Sequence, residues 1–341
     1  MSRITIKDVA KAAGVSIATV SNVINQSGRV SEETIERVKK IIDELQYIPS
    51  ASARSLRDKH THLIAVIVPY ADRTTLQDNP FYWQLVSAIE SGARNHRLHV
   101  LLVGVSEEET FSFVREKHLD GLIVVGTFSD SPIMSSLADI QVPCVYLDSY
   151  LEDEDLYQIY VDDRKGGYLG AKHLLEQGHR RLALLSNSMT EGGVGEVRYA
   201  GFMEAVKEYG VSDETVTLIC EDVSMEGGYR AASRIAEFAE GITGVMAFSD
   251  IAATGLIKGL HDRGIRVPND VSVIGFDDLM YSRHMIPSLT TIAQNLSEKG
   301  RLSVQLLMEQ IECKPPRKSR KVVLPVKLEV RESTANHRSG N

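Results

Sequence analysis

Residues 5–25 read Thr-Ile-Lys-Asp-Val-Ala-Lys-Ala-Ala-Gly-Val-Ser-Ile-Ala-Thr-Val-Ser-Asn-Val-Ile-Asn. This short run holds two helix starts and one tight glycine turn, the plan of a helix-turn-helix. Thr5 caps a first helix with Asp8 at the capping-box spacing, and Val9, Ala10 and Ala13 form its inward face. Gly14 ends it. Ser16 caps a second helix in which Val20, Val23 and Ile24 pack inward, while Ile17, Ala18, Ser21 and Asn22 fall on the other face. A third helix follows Ser31, with Glu32 and Glu33 in its first turn and Ile35, Val38, Ile41, Ile42 and Leu45 as the stripe that closes a small core. The outer face of the second helix carries short side chains, which suits a helix pressed into the major groove. There Ile17 and Ala18 can meet thymine methyls and Asn22 a base edge. The alternative is a helical hairpin that binds nothing.

After the helix-ending Pro49, residues up to 60 are small or polar apart from Leu56, too few apolar groups to fold alone. The helix-turn-helix, the Tyr47-Ile48-Pro49 junction and the Ala53-Arg54-Ser55-Leu56 hinge resemble the lactose-repressor (LacI/GalR) family of bacterial transcriptional regulators, close to its purine-repressor branch. The likeness runs over nearly the whole chain. It implies a hinge that becomes helical only on operator DNA, with Leu56 wedged into the minor groove at the operator centre. The plainer alternative is a linker leucine resting on its neighbour domain. The DNA-contact set expected is Thr5, Ser16, Ile17, Ala18, Thr19, Ser21, Asn22, Asn25 and Arg29 in the head, and Ser50, Ala53, Arg54 and Leu56 in the hinge.

Charge divides the chain in the same place. Residues 1–60 hold ten Lys/Arg against seven Asp/Glu, a net +3, which leaves −11 for the remainder of a chain whose formal charge is −8. A basic head on an acidic body steers the head toward phosphate. The cysteines, Cys144, Cys220 and Cys313, are odd in number and far apart, so neither a disulfide framework nor a zinc site is expected, and the compartment expected is a reducing cytoplasm. No signal-peptide pattern and no membrane-spanning apolar run is read from the sequence. A periplasmic sugar-binding protein would share the body but would have no use for residues 1–60.

From Leu63 onward, apolar runs at 63–68, 98–103, 121–125, 142–147, 181–186, 244–248 and 271–276 alternate with amphipathic stretches, the signature of parallel sheets covered on both faces. The expected fold is α/β: an N-terminal all-α helix-turn-helix domain plus a two-lobed sensor, like a periplasmic binding protein, with doubly wound parallel sheets. Boundaries are placed at 1–46 for the head, 47–60 for the hinge, 61–161 for the first lobe and 162–290 for the second. The resemblance implies three crossings between lobes, with residues about 291–322 returning to the first lobe, about 323–333 to the second, and 334–341 left as a tail. The tail lacks an apolar heptad, so a helical tetramerisation segment is not expected.

Ligands of open parallel sheets bind beyond the carboxyl ends of the strands. Polar groups and aromatics recur there, at Gly126, Asp148, Ser249, Asp277 and the run Phe81, Tyr82, Trp83, as the lining of a sugar pocket requires. The resemblance places Phe81, Tyr82, Arg198 and Asp277 at effector-binding positions, whereas Val223 stands where several relatives have an aromatic. Taken singly, Asp250 could cap a helix starting at Ile251 and Asp148 could cap a turn. Asp162-Asp163 reads as a solvated strand end. Gly193-Val-Gly-Glu-Val-Arg198 lacks the third glycine of a dinucleotide fingerprint and the lysine of a P-loop. No catalytic residue, metal site or cofactor is assigned. The expected function is a sequence-specific regulator, a dimer on a near-palindromic operator, controlled by a small molecule, with a sugar or sugar derivative favoured. The alternative regulator answers mainly to a phosphorylated coregulator protein.

Overall fold

The computed structural model describes residues 4–24, 27–47, 60–69, 79–105, 111–187, 189, 192–237, 241–314 and 320–337. The chain forms two compact units, divided between Thr61 and His62. In the first, α1 (Ile6–Ala13), α2 (Ile17–Ile24) and α3 (Glu32–Glu44) enclose Val9, Ala10, Ala13, Val20, Val23, Val38 and Tyr47. The Asp8 carboxylate accepts from the backbone N–H and hydroxyl of Thr5, which hold it below the usual carboxylate range. Gly14 turns the chain at φ 67°, a left-handed value that a β-carbon would strain. The Ser16 hydroxyl accepts from the Thr19 N–H, and Ser31 from the Thr34 N–H. Tyr47, assigned above to the hinge, is buried in the head core, so the head extends at least one residue beyond 46.

The second unit contains, in chain order, β1 (Leu63–Pro69), α4 (Pro80–Asn95), β2 (His99–Val105), α5 (Ser112–Glu116), β3 (Gly121–Val125), α6 (Pro132–Ala138), β4 (Cys144–Leu147) and β5 (Tyr157–Val161). Then come α7 (Asp163–Glu176), β6 (Leu182–Ser186), α8 (Val194–Glu208), β7 (Val216–Cys220), α9 (Met225–Glu237), β8 (Gly244–Ala247), α10 (Asp250–Asp262) and β9 (Ser272–Asp277). The chain closes with β10 (Thr290–Ala293), α11 (Leu296–Ile311), β11 (Lys321–Leu324) and β12 (Lys327–Glu329). The first sheet has the order β11-β5-β4-β3-β1-β2 and is parallel throughout; the second is β12-β10-β9-β8-β6-β7, with β12 antiparallel to β10. Separate apolar clusters cover the two faces of each sheet, giving two doubly wound lobes.

The chain passes between the sheets after Val161, after Ala293 and after Leu324. The expected boundaries shift accordingly. Residues 291–293 pair with β9 in the second sheet, and Val323 and Leu324 pair with β5 in the first. The tail, expected to start at 334, is fixed to the second lobe as far as His337. The His337 N–H donates to the Gln177 carbonyl, the Ala335 N–H to Ser272 Oγ, and Thr334 Oγ1 bonds His173 Nε2.

Two glycines set how α7 meets α8. A β-carbon on Gly167 would lie 1.9 Å from the Arg198 carbonyl oxygen, and one on Gly201 would lie 1.7 Å from that of Arg164. Backbone touches backbone at both points, and this contact brings the first residue of α7 against the second turn of α8.

Candidate functional site

The strand order reverses between β1 and β3 in one sheet and between β6 and β8 in the other, the switch points at which open sheets leave a crevice. Lys299 of α11 is 0% exposed. Its ammonium donates to both oxygens of Asp148, at 2.6 and 2.8 Å, and to Gln294 Oε1 at 2.6 Å. Gln294 Nε2 in turn donates to Asp277 Oδ1 at 2.6 Å. A continuous polar chain therefore runs from the end of β4 in the first lobe to the end of β9 in the second. Beside it, Arg198 Nε donates to Asp163 Oδ1 at 2.7 Å, Nη1 donates to the Phe248 carbonyl, and the guanidinium stacks 3.4 Å above the Phe276 ring. The Tyr150 hydroxyl donates to Asp163 Oδ2 at 2.7 Å.

The aromatic side is Phe81 and Tyr82, packed edge to face with centroids 5.4 Å apart, with the Lys299 ammonium 5.8 Å from the Phe81 centroid. Burial, then the charges of Asp148 and Asp277, push the Tyr82 phenol up to about 12, so it lies in the field of a carboxylate from each lobe. Burial pushes the Asp277 carboxyl up to about 8, reinforced by Asp250 and opposed by Arg198, Gln294 and Lys299. Asp163 is also raised by burial, against the pull of Arg198. For Arg198, burial works against the charge, but Asp163 and Asp277 outweigh it and the group is held protonated.

Of the effector residues expected from sequence, Phe81, Tyr82, Asp148, Arg198 and Asp277 come together here. Gly126 ends β3 at φ 66°, and the next N–H, from Thr127, donates to Ser149 Oγ beside Asp148. Ser249 is buried at the same level, but its hydroxyl accepts from the Ala252 N–H and caps α10. Trp83 is 50% exposed and takes no part in the hydrogen bonds and ring contacts that join its neighbours to the network. Val223 is half-buried in the loop after β7.

Asp250, Asp148 and Asp163 differ from their expected roles. Helix α10 starts at Asp250 with Ser249 as its cap, and Asp250 is a buried acceptor for the Leu279 N–H, Ser282 Oγ and Thr291 Oγ1, pushed up by burial to about 6. Asp148 adopts φ 50° and spends its carboxylate on Lys299 rather than on a turn. Asp162 caps α7 through the Lys165 N–H, but Asp163 is fully buried against Arg198, not solvated. Sequence reasoning missed Lys299, Gln294, Asp163 and Tyr150. The available signal was Lys299 itself, a lysine on the stripe Leu296, Gly300, Ser303, Val304, Leu307 that forms the buried face of α11.

In the head, Ile17 (45% exposed) and Ala18 stand out from α2, while Thr19, Ser21 and Asn22 are half-covered. Asn22 lies over Gly28, whose β-carbon would meet Asn22 Nδ2 at 2.9 Å. Ser16 and Thr19 bond each other through their hydroxyls, and Thr5 and Arg29 are exposed. Asn25, Ser50, Ala53, Arg54 and Leu56 lie outside the described residues. Cys144, Cys220 and Cys313 are free thiols. Among the described residues no cluster of three metal-ligating side chains occurs, and no helix is long and apolar enough to cross a membrane.

The family model for bacterial regulatory proteins of the lacI family matches residues 5–50, and that for a periplasmic binding protein-like domain matches residues 171–334. Along 97% of its length the chain is 34% identical to the HTH-type transcriptional regulator DegA of Bacillus subtilis (strain 168), covering 98% of that protein. The chain belongs to the LacI family. It is also 35% identical to the ribose operon repressor of Halalkalibacterium halodurans, over 97% of each chain. Among solved structures, the lac repressor dimer bound to operator and the anti-inducer ONPF superposes with TM-score 0.84 at 28% identity, covering 98% of this chain and all of that one. A LacI-family regulator of Enterococcus faecium with bound ribose gives TM-score 0.71 at 30% identity, over 80% of this chain and all of that one. This LacI-family chain is a DNA-binding transcriptional regulator with the lac repressor fold.

Proposed function

We propose that the chain is a cytoplasmic repressor that binds a near-palindromic operator as a homodimer and is controlled by a small molecule of the sugar class held between its lobes. The observation that carries the effector half is the Asp148–Lys299–Gln294–Asp277 chain. Buried carboxylates, amides and a cation converge there from both lobes beside Phe81 and Tyr82, the mixture that pairs hydroxyls and stacks on a sugar ring. Phe81, Tyr82, Asp148, Arg198 and Asp277 are assigned as effector contacts, with Gly126 and Ser249 shaping the wall and Trp83 at its edge.

The DNA half rests on the exposed face of Ile17 and Ala18 and on the basic head. One small helix-turn-helix reaches a half-site, so useful affinity requires two. The similarity to the lac repressor dimer on operator and to a ribose operon repressor supports both halves. Effector binding changes how the lobes meet, and the hinge carrying Ser50, Ala53, Arg54 and Leu56 transmits that change to the heads.

The test selects an operator from a random duplex library with the full-length protein, then measures its affinity against salt and with added sugars. Two heads engaging about eight phosphates give a log–log salt slope of about −7. A slope shallower than about −2 would overturn the DNA half. An operator complex that ignores every sugar would overturn the effector half.

A further inference from the structure

We propose that the Asp148–Lys299 pair is a charge filter that restricts the cleft to uncharged polyhydroxylated ligands and rejects their phosphate and carboxylate derivatives. This rests on the cleft being the effector site, and it decides among ligand classes that the reading above leaves open.

A lysine in a sugar cleft invites assignment as an anion hook, but the geometry of Lys299 argues against it. An ammonium has three protons, and here two go to the oxygens of Asp148 and the third to Gln294 Oε1. The side chain is 0% exposed and that of Asp148 is 12% exposed. Arg198, the other cation, spends Nε on Asp163 and Nη1 on the Phe248 carbonyl, and its face covers Phe276. Two cations are thus answered by three acidic side chains, Asp148, Asp163 and Asp277, all largely buried. Asp148 and Asp163 already balance both cations, and the Asp277 carboxyl, pushed up chiefly by burial, brings no positive charge that an anion could meet.

A phosphate or carboxylate entering this cluster would lose its water to meet cations whose charge Asp148 and Asp163 already match, which makes the transfer unfavourable. Hydroxyls suit the same atoms. Carboxylate oxygens accept from them, and the Gln294–Asp277 hydrogen bond can be shared with them without any change of net charge.

The filter is also switchable by one substitution. In Asp148→Asn the Lys299 ammonium keeps its place on α11 but loses its counter-charge, and the cleft acquires a buried cation that an anionic ligand can neutralise. Selectivity should move toward the charged member of a matched pair.

Binding to full-length protein is measured by calorimetry and thermal shift for D-ribose against D-ribose 5-phosphate, D-glucose against D-glucose 6-phosphate, and D-glucose against D-gluconate. Any ligand that binds the wild type is expected to be neutral, with its charged counterpart at least 100-fold weaker. Asp148→Asn is expected to narrow that gap by at least ten-fold. Inorganic sulfate supplies a probe independent of the sugar's identity: it should stabilise Asp148→Asn more than wild type, and since the head is common to both proteins, the difference reports the cleft. A charged sugar that binds the wild type as tightly as its neutral partner overturns the filter while leaving the effector site in place. Silence of both proteins toward every sugar overturns the sugar reading and the filter together. The wild-type comparison stands by itself if Asp148→Asn fails to fold.

Discussion

Replacing Lys299 by Met removes a charge while nearly preserving volume, and the energetic consequence can be worked from its surroundings. The ammonium is completely enclosed, and its loss strands an Asp148 carboxylate that is only 12% exposed, together with the Gln294 carbonyl. Breaking a buried pair by deleting one partner typically costs about 3–5 kcal/mol. The partial exposure of Asp148 lets water recover some of this, so the lower end applies, about 3 kcal/mol. For a body of this size each kcal/mol lowers the melting temperature by roughly 2–4 °C, so Lys299→Met should melt about 6–12 °C early. Adding Asp148→Asn removes the stranded charge, and the double variant should recover about 2 kcal/mol relative to the sum of the single changes.

The assay is urea unfolding followed by the fluorescence of Trp83, the sole tryptophan, which lies in the sensor and does not report the head. Asp148→Asn, Lys299→Met and the double variant complete the cycle. Strictly additive effects, or a loss below about 1 kcal/mol for Lys299→Met, would show that the pair is not an interacting buried unit and would remove the physical basis for the charge filter.

Three further outcomes are expected. Burial pushes the Asp277 carboxyl up to about 8 from an ordinary value of 3.8, so the folded state holds this proton more tightly than the unfolded chain. Its contribution is fullest when protonated and is lost as pH rises toward 8. The urea midpoint should therefore rise on going from pH 8 to pH 6.5, by up to about 2 kcal/mol in stability, and Asp277→Asn should flatten this slope. His179, held down to about 4 mainly by burial, acts in the opposite sense, but only below about 6.5. Gly201→Ala would drive a methyl to within 1.7 Å of the Arg164 carbonyl, forcing α7 and α8 apart. It should cost about 3 kcal/mol or more and weaken effector binding, and normal stability by thermal melt would contradict the backbone contact. Leu56→Ala should weaken specific operator binding by on the order of ten-fold and reduce DNA bending in a gel-phasing assay, leaving nonspecific binding unchanged.

The parts legible in the sequence were those where local chemistry and tertiary environment agree. Thr5 with Asp8, Gly14, Ser16 and Ser31 mark helix ends through contacts spanning at most four residues, and each lies at or within a residue of its expected helix end. The seven apolar runs became strands because central parallel strands are apolar on both faces. Strands that escaped carry polar residues whose partners are distant. Gln158 interrupts β5 but is fully buried, bonding both the N–H and the carbonyl of Leu151. β10 opens with Thr290 and Thr291, buried against Ser333, Thr334 and Asp250. The site divides in the same manner. Asp148 and Asp277 announce themselves at strand ends, whereas Lys299 acquires its meaning from an aspartate 151 residues earlier in the chain, a pairing that no local pattern encodes.

The crossings between lobes and the polar chain are built from the same residues, and this limits what a ligand can disturb locally. Gln294 lies in the segment that leads from β10 into α11, and Asp163 opens α7 directly after the passage from β5. Whatever alters the Gln294–Asp277 hydrogen bond therefore acts at the start of α11. That helix has little freedom to absorb the change. A β-carbon on Gly300 would meet the Ala88 carbonyl carbon and the Ile89 nitrogen at 2.7 Å, and one on Gly92 would lie 3.6 Å from the Arg301 Cα, so α11 and α4 are in backbone contact and cannot slide independently without opening a void. Phe81 and Tyr82 occupy the first turn of α4. A ligand that stacks on these rings and bonds Asp277 therefore meets the start of both helices of one rigid pair, and a change in lobe geometry must carry that pair as a body.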